Sequence, residues 1–152
     1  MSNHVHFLVQ VKSIEEISEF LSKKEKKNGQ NPEKKFADDP EKFISKQFSN
    51  LFSSYSQAFN KQQGRMGSLF MKNFKRKQVK DESYLKKLVH YIHCNPVDAG
   101  LCKGPDGWRN SSYNAIRNES TDIAKQVISW FDDLAGFEAF HRLPPSLNPM
   151  DE

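Results

Sequence analysis

The sequence predicts an α+β fold, and three observations carry that reading. Val5, Phe7, Val9 and Val11 alternate with His4, His6, Leu8 and Gln10, the period-two pattern of a strand. Further along, apolar residues recur at helical spacing in several segments. Between two of these, Ser68–Val79 reads as a short basic strand or hairpin.

Taken in order, the N-terminal strand runs into a helix. Ile14, Ile17, Phe20 and Leu21 share one face, and Ser13 with Glu16 has the spacing of a capping box. That helix fades into Lys23–Lys27. Asn28, Gly29, Asn31, Pro32, Asp38, Asp39 and Pro40 then supply loop chemistry. A longer helix is predicted from about Glu41 to Gln62, with Ile44, Phe48, Leu51, Phe52, Tyr55 and Phe59 as its apolar stripe, ended by Gly64 and Gly67. Asp81 caps the next helix, whose core face is Leu85, Leu88, Val89 and Ile92. Asn95-Pro96 is expected to stop it, because proline disfavours helical geometry in the residue before it. Residues 96–112 read as loop, with Ser111 or Ser112 capping a short helix. Val127, Ile128, Trp130, Phe131, Leu134, Phe137 and Phe140 predict a C-terminal helical segment ended by Pro144 and Pro145.

At 152 residues the chain is sized for one domain. Only 36% of residues are hydrophobic, but 12 Phe, 4 Tyr and 2 Trp argue against disorder. No apolar run is long enough to span a bilayer, and the N-terminus lacks the pattern of a secretory signal. Cys94 and Cys102 make no disulfide framework, which fits free thiols in a cytoplasmic protein. The net charge of +4 is unevenly placed. Lys61, Arg65, Lys72, Lys75, Arg76, Lys77 and Lys80 put +7 within residues 61–80, where there is no acidic residue, and leave −3 elsewhere. A localised basic block points to a polyphosphate partner, with a solvated charge run as the alternative. Phe70 and Phe74 are threaded through it.

Two constellations could carry chemistry. On a strand, alternation puts His4 and His6 on one face, and two such imidazoles can chelate one divalent metal. The pair also reads as two solvated or core histidines. On the helix after Asp81, positions 84, 88, 91 and 95 share a face, so Tyr91 and Asn95 project together. A tyrosine hydroxyl can attack a phosphodiester whose phosphorus is polarised by a metal. An amide oxygen one turn on could complete the metal's shell. A half-buried core tyrosine beside a helix-ending Asn remains the other reading. His90, His93 and Cys94 could be joined to His4 and His6 as a zinc set, but positions 90, 91, 93 and 94 are expected to point in different directions.

Taken together these segments resemble the REP-associated tyrosine transposases, a branch of the single-tyrosine HUH transposases. The matching residues begin with the histidine–hydrophobic–histidine run His4-Val5-His6-Phe7-Leu8-Val9. They continue through Gly67-Ser68-Leu69-Phe70, Phe74-Lys75-Arg76 and Tyr84-Leu85. The most specific block is Tyr91-Ile92-His93-Cys94-Asn95-Pro96-Val97 with Ala99-Gly100-Leu101. Trp108, Ser111-Ser112-Tyr113 and the stretch from Trp130-Phe131 to Phe140-His141 follow in the family's order.

The resemblance implies an antiparallel sheet flanked by helices, the ferredoxin-like HUH domain. It also implies cleavage and rejoining of single-stranded DNA near hairpin repeats. Tyr91 matches the nucleophile, linked to a DNA 5′ phosphate. His4, His6 and Asn95 match the metal ligands, with Mg²⁺ or Mn²⁺ as the metal. Imidazole and amide donors suit Mn²⁺ somewhat better. Neutral ligands imply activity that falls below about pH 6.5. Arg65, Lys72, Lys75, Arg76 and Lys77 would lie along DNA phosphates, and Phe70 or Phe74 could stack on an unpaired base. The alternative is a non-catalytic protein binding DNA or RNA hairpins.

The family's domain has about fifty residues ahead of the histidine strand. The chain therefore reads as a partial domain over 1–118, N-terminally truncated, with a helical extension over 119–152. A misassigned start, a gene fragment, or a homodimer completing the sheet would each account for this.

Overall fold

A computed structural model describes residues 5–28, 39–71 and 75–144. Six α-helices are present among them: α1 (Ile14–Asn28), α2 (Pro40–Gln62), α3 (Glu82–Asp98), α4 (Tyr113–Arg117), α5 (Asp122–Ser129) and α6 (Leu134–His141), with a 3₁₀ turn at Pro105–Gly107. The described residues contain no strand. The predicted antiparallel sheet is therefore corrected to an all-helical arrangement.

The reason lies in the ladder. A strand is stabilised by hydrogen bonds to a neighbouring strand, so alternation alone leaves an extended segment. Residues 5–13 are irregular, with Val5, Phe7, Val9 and Val11 each more than half exposed. Of the second predicted strand, residues 68–71 and 75–80 are irregular too.

Helix boundaries follow the sequence more closely. Ser13 and Glu16 close the capping box, with Glu16 N–H donating to Ser13 Oγ (3.2 Å) and Ser13 N–H to Glu16 Oε2 (3.0 Å). Asp39 caps α2 through the Lys42 N–H, and Asp81 caps α3 through the Tyr84 N–H at 2.7 Å. The end of α3 differs from expectation. Pro96 lies inside the helix, which continues to Asp98. Gly100 at φ +69° closes it: its N–H reaches the Val97 carbonyl and the Leu101 N–H reaches the Pro96 carbonyl, each at 2.9 Å. That closure is a Schellman motif. It satisfies the last carbonyls, and the helix tolerates the one bond that Pro96 cannot donate.

The C-terminal segment is two helices rather than one. The chain breaks after α5, with Asp132 at φ +72°, and Asp133 restarts it by accepting the Gly136 N–H. Gly136 is required there, because a Cβ would overlap the Phe131 carbonyl oxygen.

The chain forms two compact units. One comprises residues 1–8 and 76–152, the other 9–75. The second is small: Ile17 and Leu21 of α1 pack on Phe43 and Ile44 of α2. In the first, Val89 of α3, Tyr113 and Ile116 of α4, Ala124, Val127 and Ile128 of α5, and Phe131 and Phe137 make one core. Residues 118 and 119, where a boundary was expected, both lie in this unit.

A chain of polar contacts runs through the same unit and ties α3 to α6. His93 Nδ1 lies 2.9 Å from His141 Nε2, His93 Nε2 lies 2.9 Å from Ser112 Oγ, and His141 Nδ1 lies 2.7 Å from the Phe137 carbonyl. A carbonyl only accepts, so His141 Nδ1 carries the hydrogen. Its Nε2 then accepts from His93 Nδ1–H, and His93 Nε2 accepts from the Ser112 hydroxyl. Both rings are neutral and each tautomer is set by its neighbour. His90 joins alongside, its Nε2 3.2 Å from the Leu143 carbonyl and its ring 5.4 Å from that of His141. Burial pulls His93 down to about 3 and His141 to about 4, and lowers His90 as well.

The sign for stability follows. The unfolded chain takes up protons on these rings below its usual histidine value near 6.5, while the folded state refuses them. Unfolding free energy therefore falls as pH drops from about 6.5 towards about 4 and is flat above. Thermal melts followed through Trp108 and Trp130 fluorescence should show the melting temperature dropping across that window. A melting temperature unchanged to about pH 4 would contradict it.

Candidate active site on the third helix

α3 presents two sides. Leu88, Val89, His90, His93, Cys94, Asn95 and Pro96 are buried, while Tyr84, Tyr91 and Ile92 are half-buried. His90, His93 and Cys94 were expected to diverge, yet they are buried together. His90 Nε2 is 3.5 Å from Cys94 Sγ. They form no metal centre: among the described residues no group of three His, Cys, Asp or Glu side chains could hold an ion. Burial also pushes the Cys94 thiol up to about 11, which keeps it protonated and a poor ligand. Sequence reasoning missed this network because its partner, His141, lies 48 residues from His93. The only local hint was His90 and His93 at a spacing of three, one helical turn apart.

The proposed nucleophile sits beside one of its predicted companions. The His6 ring stands edge-on to the Tyr91 ring, with centroids 5.4 Å apart and planes at 71°. Two residues 85 positions apart thus meet within one unit. One turn further along α3, Asn95 is only 8% exposed. Its carbonyl oxygen Oδ1 is buried without a hydrogen-bond partner. A buried acceptor left unpaired costs about 1–3 kcal/mol. His4 lies outside the described residues.

The predicted phosphate-binding residues are distributed over both units. Arg65 and Lys75 belong to the smaller unit, Arg76 and Lys77 to the larger, and Lys72 lies outside the described residues, as does Phe74. The four described ones are exposed. Two of them rest on aromatic faces: Arg65 lies 5.8 Å from the Phe59 ring centroid, and Lys77 lies 5.2 Å from that of Tyr84. Such cation–π contacts orient a long side chain while leaving its charge at the surface. Among the other tyrosines, Tyr113 is buried against Phe137 with ring centroids 5.4 Å apart, and Tyr55 is more than half exposed on α2.

Imidazole and amide oxygen are neutral donors of a kind suited to Mn²⁺ or Mg²⁺, and of the three expected ligands His6 and Asn95 are described. Asn95→Leu removes the unpaired acceptor while keeping the branched side-chain skeleton. It should leave the melting temperature unchanged or raise it. A fall of several degrees would show instead that the amide is held by the fold. No helix of the described residues is long and apolar enough to cross a membrane. No family model, curated protein or solved structure matches this chain.

Proposed function

We propose that the protein is a metal-dependent DNA strand transferase of the single-tyrosine type, acting on single-stranded DNA near hairpin repeats. The observation that supports this most strongly is the convergence on Tyr91: His6 packs against its ring, and the unpaired Asn95 oxygen is one helical turn away. A structural tyrosine needs neither. The resemblance to the REP-associated tyrosine transposases, carried by the block from Tyr91 to Leu101, supports the same reading.

In this reading the Tyr91 oxygen attacks a phosphodiester. The bond from phosphorus to the 3′ oxygen breaks, and that oxygen leaves as a 3′ hydroxyl with the proton that tyrosine gives up. The 5′ phosphate stays on Tyr91 as a phosphodiester, so no bond energy is lost to water. Attack by another 3′ hydroxyl reverses the step and rejoins the strand. His4, His6 and Asn95 would hold a divalent cation, which supplies Lewis-acid polarisation of the phosphate. The capped N-terminus of α3 and the histidine chain on its buried side hold Tyr91 and Asn95 in fixed register. Lys75, Arg76 and Lys77 would neutralise phosphates, with salt-dependent affinity. A cytoplasmic location belongs to this reading.

The second reading, a hairpin-binding protein without chemistry, is favoured by the basic stretch alone. One experiment separates the two. A 3′-labelled single strand incubated with the protein and Mn²⁺ should become covalently attached, and Tyr91→Phe should abolish the adduct. Asn95→Leu should reduce it at least tenfold while the fold persists. Retention of the adduct in Tyr91→Phe would overturn the assignment of the nucleophile. No adduct with the wild-type protein, alongside intact hairpin binding, would favour the second reading.

A further inference from the structure

The smaller unit carries a feature that the proposed chemistry does not use. From Lys42 to Lys75 its sequence has no Asp or Glu, but six Lys or Arg and seven Phe or Tyr. The stretch begins in the first turn of α2 and includes nearly all of that helix. Along it, Phe48, Leu51, Phe52, Tyr55 and Phe59 recur at spacings of three and four, which stacks them on one face. Only Phe43, near the start of α2, is buried in the core with α1.

The chain beyond α2 folds back to extend this face. Gly64 and Gly67 turn with φ of +60° and +99°, which non-glycine side chains rarely adopt. Asn60 Nδ2 donates to the Gly67 carbonyl at 2.8 Å and pins the turn. Phe70 is thereby placed 4.9 Å from the Phe52 ring and 5.9 Å from that of Tyr55. Tyr55 and Phe59 stack with planes 17° apart, and Arg65 covers Phe59. At the centre of the face Tyr55 is 55% exposed and Leu51 53% exposed.

We propose that this face, carried by the smaller unit, is a base-stacking platform for single-stranded DNA, a proposal resting on the DNA reading above. Tyr55 is the exposed ring of this face, with half-buried rings around it; an exposed ring accepts any base by stacking, and flanking cations track the phosphates. Lys46, Lys61, Arg65 and Lys75, all exposed, supply those cations within the same unit. Charge selects the occupant. A second copy of the chain would bring two acid-free stretches together, whereas a polyanion neutralises one.

The test compares fluorescein-labelled oligo-dT with an abasic strand of equal length, by anisotropy on the full chain. Oligo-dT should bind more tightly. Tyr55→Ala should weaken it about tenfold, the effect of losing one stacked base, and leave the abasic strand unchanged. Tyr55→Phe, which keeps the ring, should bind like wild type. Equal binding of both strands, or no effect of Tyr55→Ala, overturns the platform. So does sedimentation of a dimer that Tyr55→Asp dissociates, since the face would then be covered by a second copy. The two proposals fail separately. Base-dependent binding without a Tyr91 adduct sinks the strand transferase and keeps the platform. An adduct with binding indifferent to Tyr55 does the reverse.

Discussion

The larger unit depends on one buried contact, the 2.9 Å hydrogen bond between His93 of α3 and His141 of α6. It is neutral, directional and continuous with the Ser112 hydroxyl on one side and the Phe137 carbonyl on the other. Because the carbonyl can only accept, every proton along the row has one place to be. Phe137, fully buried, packs 4.2 Å from the His141 ring and 6.0 Å from that of His93. The apolar core thus encloses the polar row, and an unmade hydrogen bond there would cost far more than at the surface. α3 carries an internal proline, and this contact ties its buried side to α6. Tyr91 and Asn95, on the same helix, inherit that placement.

Much of this was legible locally. Capping residues act within one turn, so Ser13 with Glu16 and Asp81 marked the starts of α1 and α3, whereas Asp39, read as loop, caps α2. The apolar stripe of α2 and the pairing of Tyr91 with Asn95 along α3 follow from 3.6 residues per turn. What failed needed information from elsewhere in the chain. Alternation around His6 predicts a strand only if a neighbour supplies the ladder. Pro96 predicts a stop only if the carbonyls beyond it stay unpaired, and Gly100 pairs them. The histidine row joins residues 19 and 48 positions apart, and no local pattern signals that. His6 lies beside Tyr91 although its segment is irregular rather than a strand. An irregular segment delivers the imidazole just as well.

Charge completes the picture. The modest net charge conceals a long acid-free stretch that begins in α2 and runs up to the cap of α3. Its described cations are exposed, and two lie on aromatic rings. The acidic residues are left to the remainder of the chain, where Glu138 pairs with Arg117 and Arg142 beside the histidine row. A basic, aromatic segment and a buried neutral histidine row thus belong to different stretches of the chain.

The central claim is that α3 presents Asn95 and Tyr91 to a cation shared with the N-terminal histidines. Paramagnetic broadening by Mn²⁺ in an NMR titration tests it most directly. The account predicts that the His6 ring and Asn95 side-chain signals broaden first, at the lowest Mn²⁺, because the relaxation falls steeply with distance from the ion, and that His93 and His141, which are not its ligands, follow only at higher Mn²⁺. Broadening that begins at His93 and His141, or that spares Asn95, would contradict it.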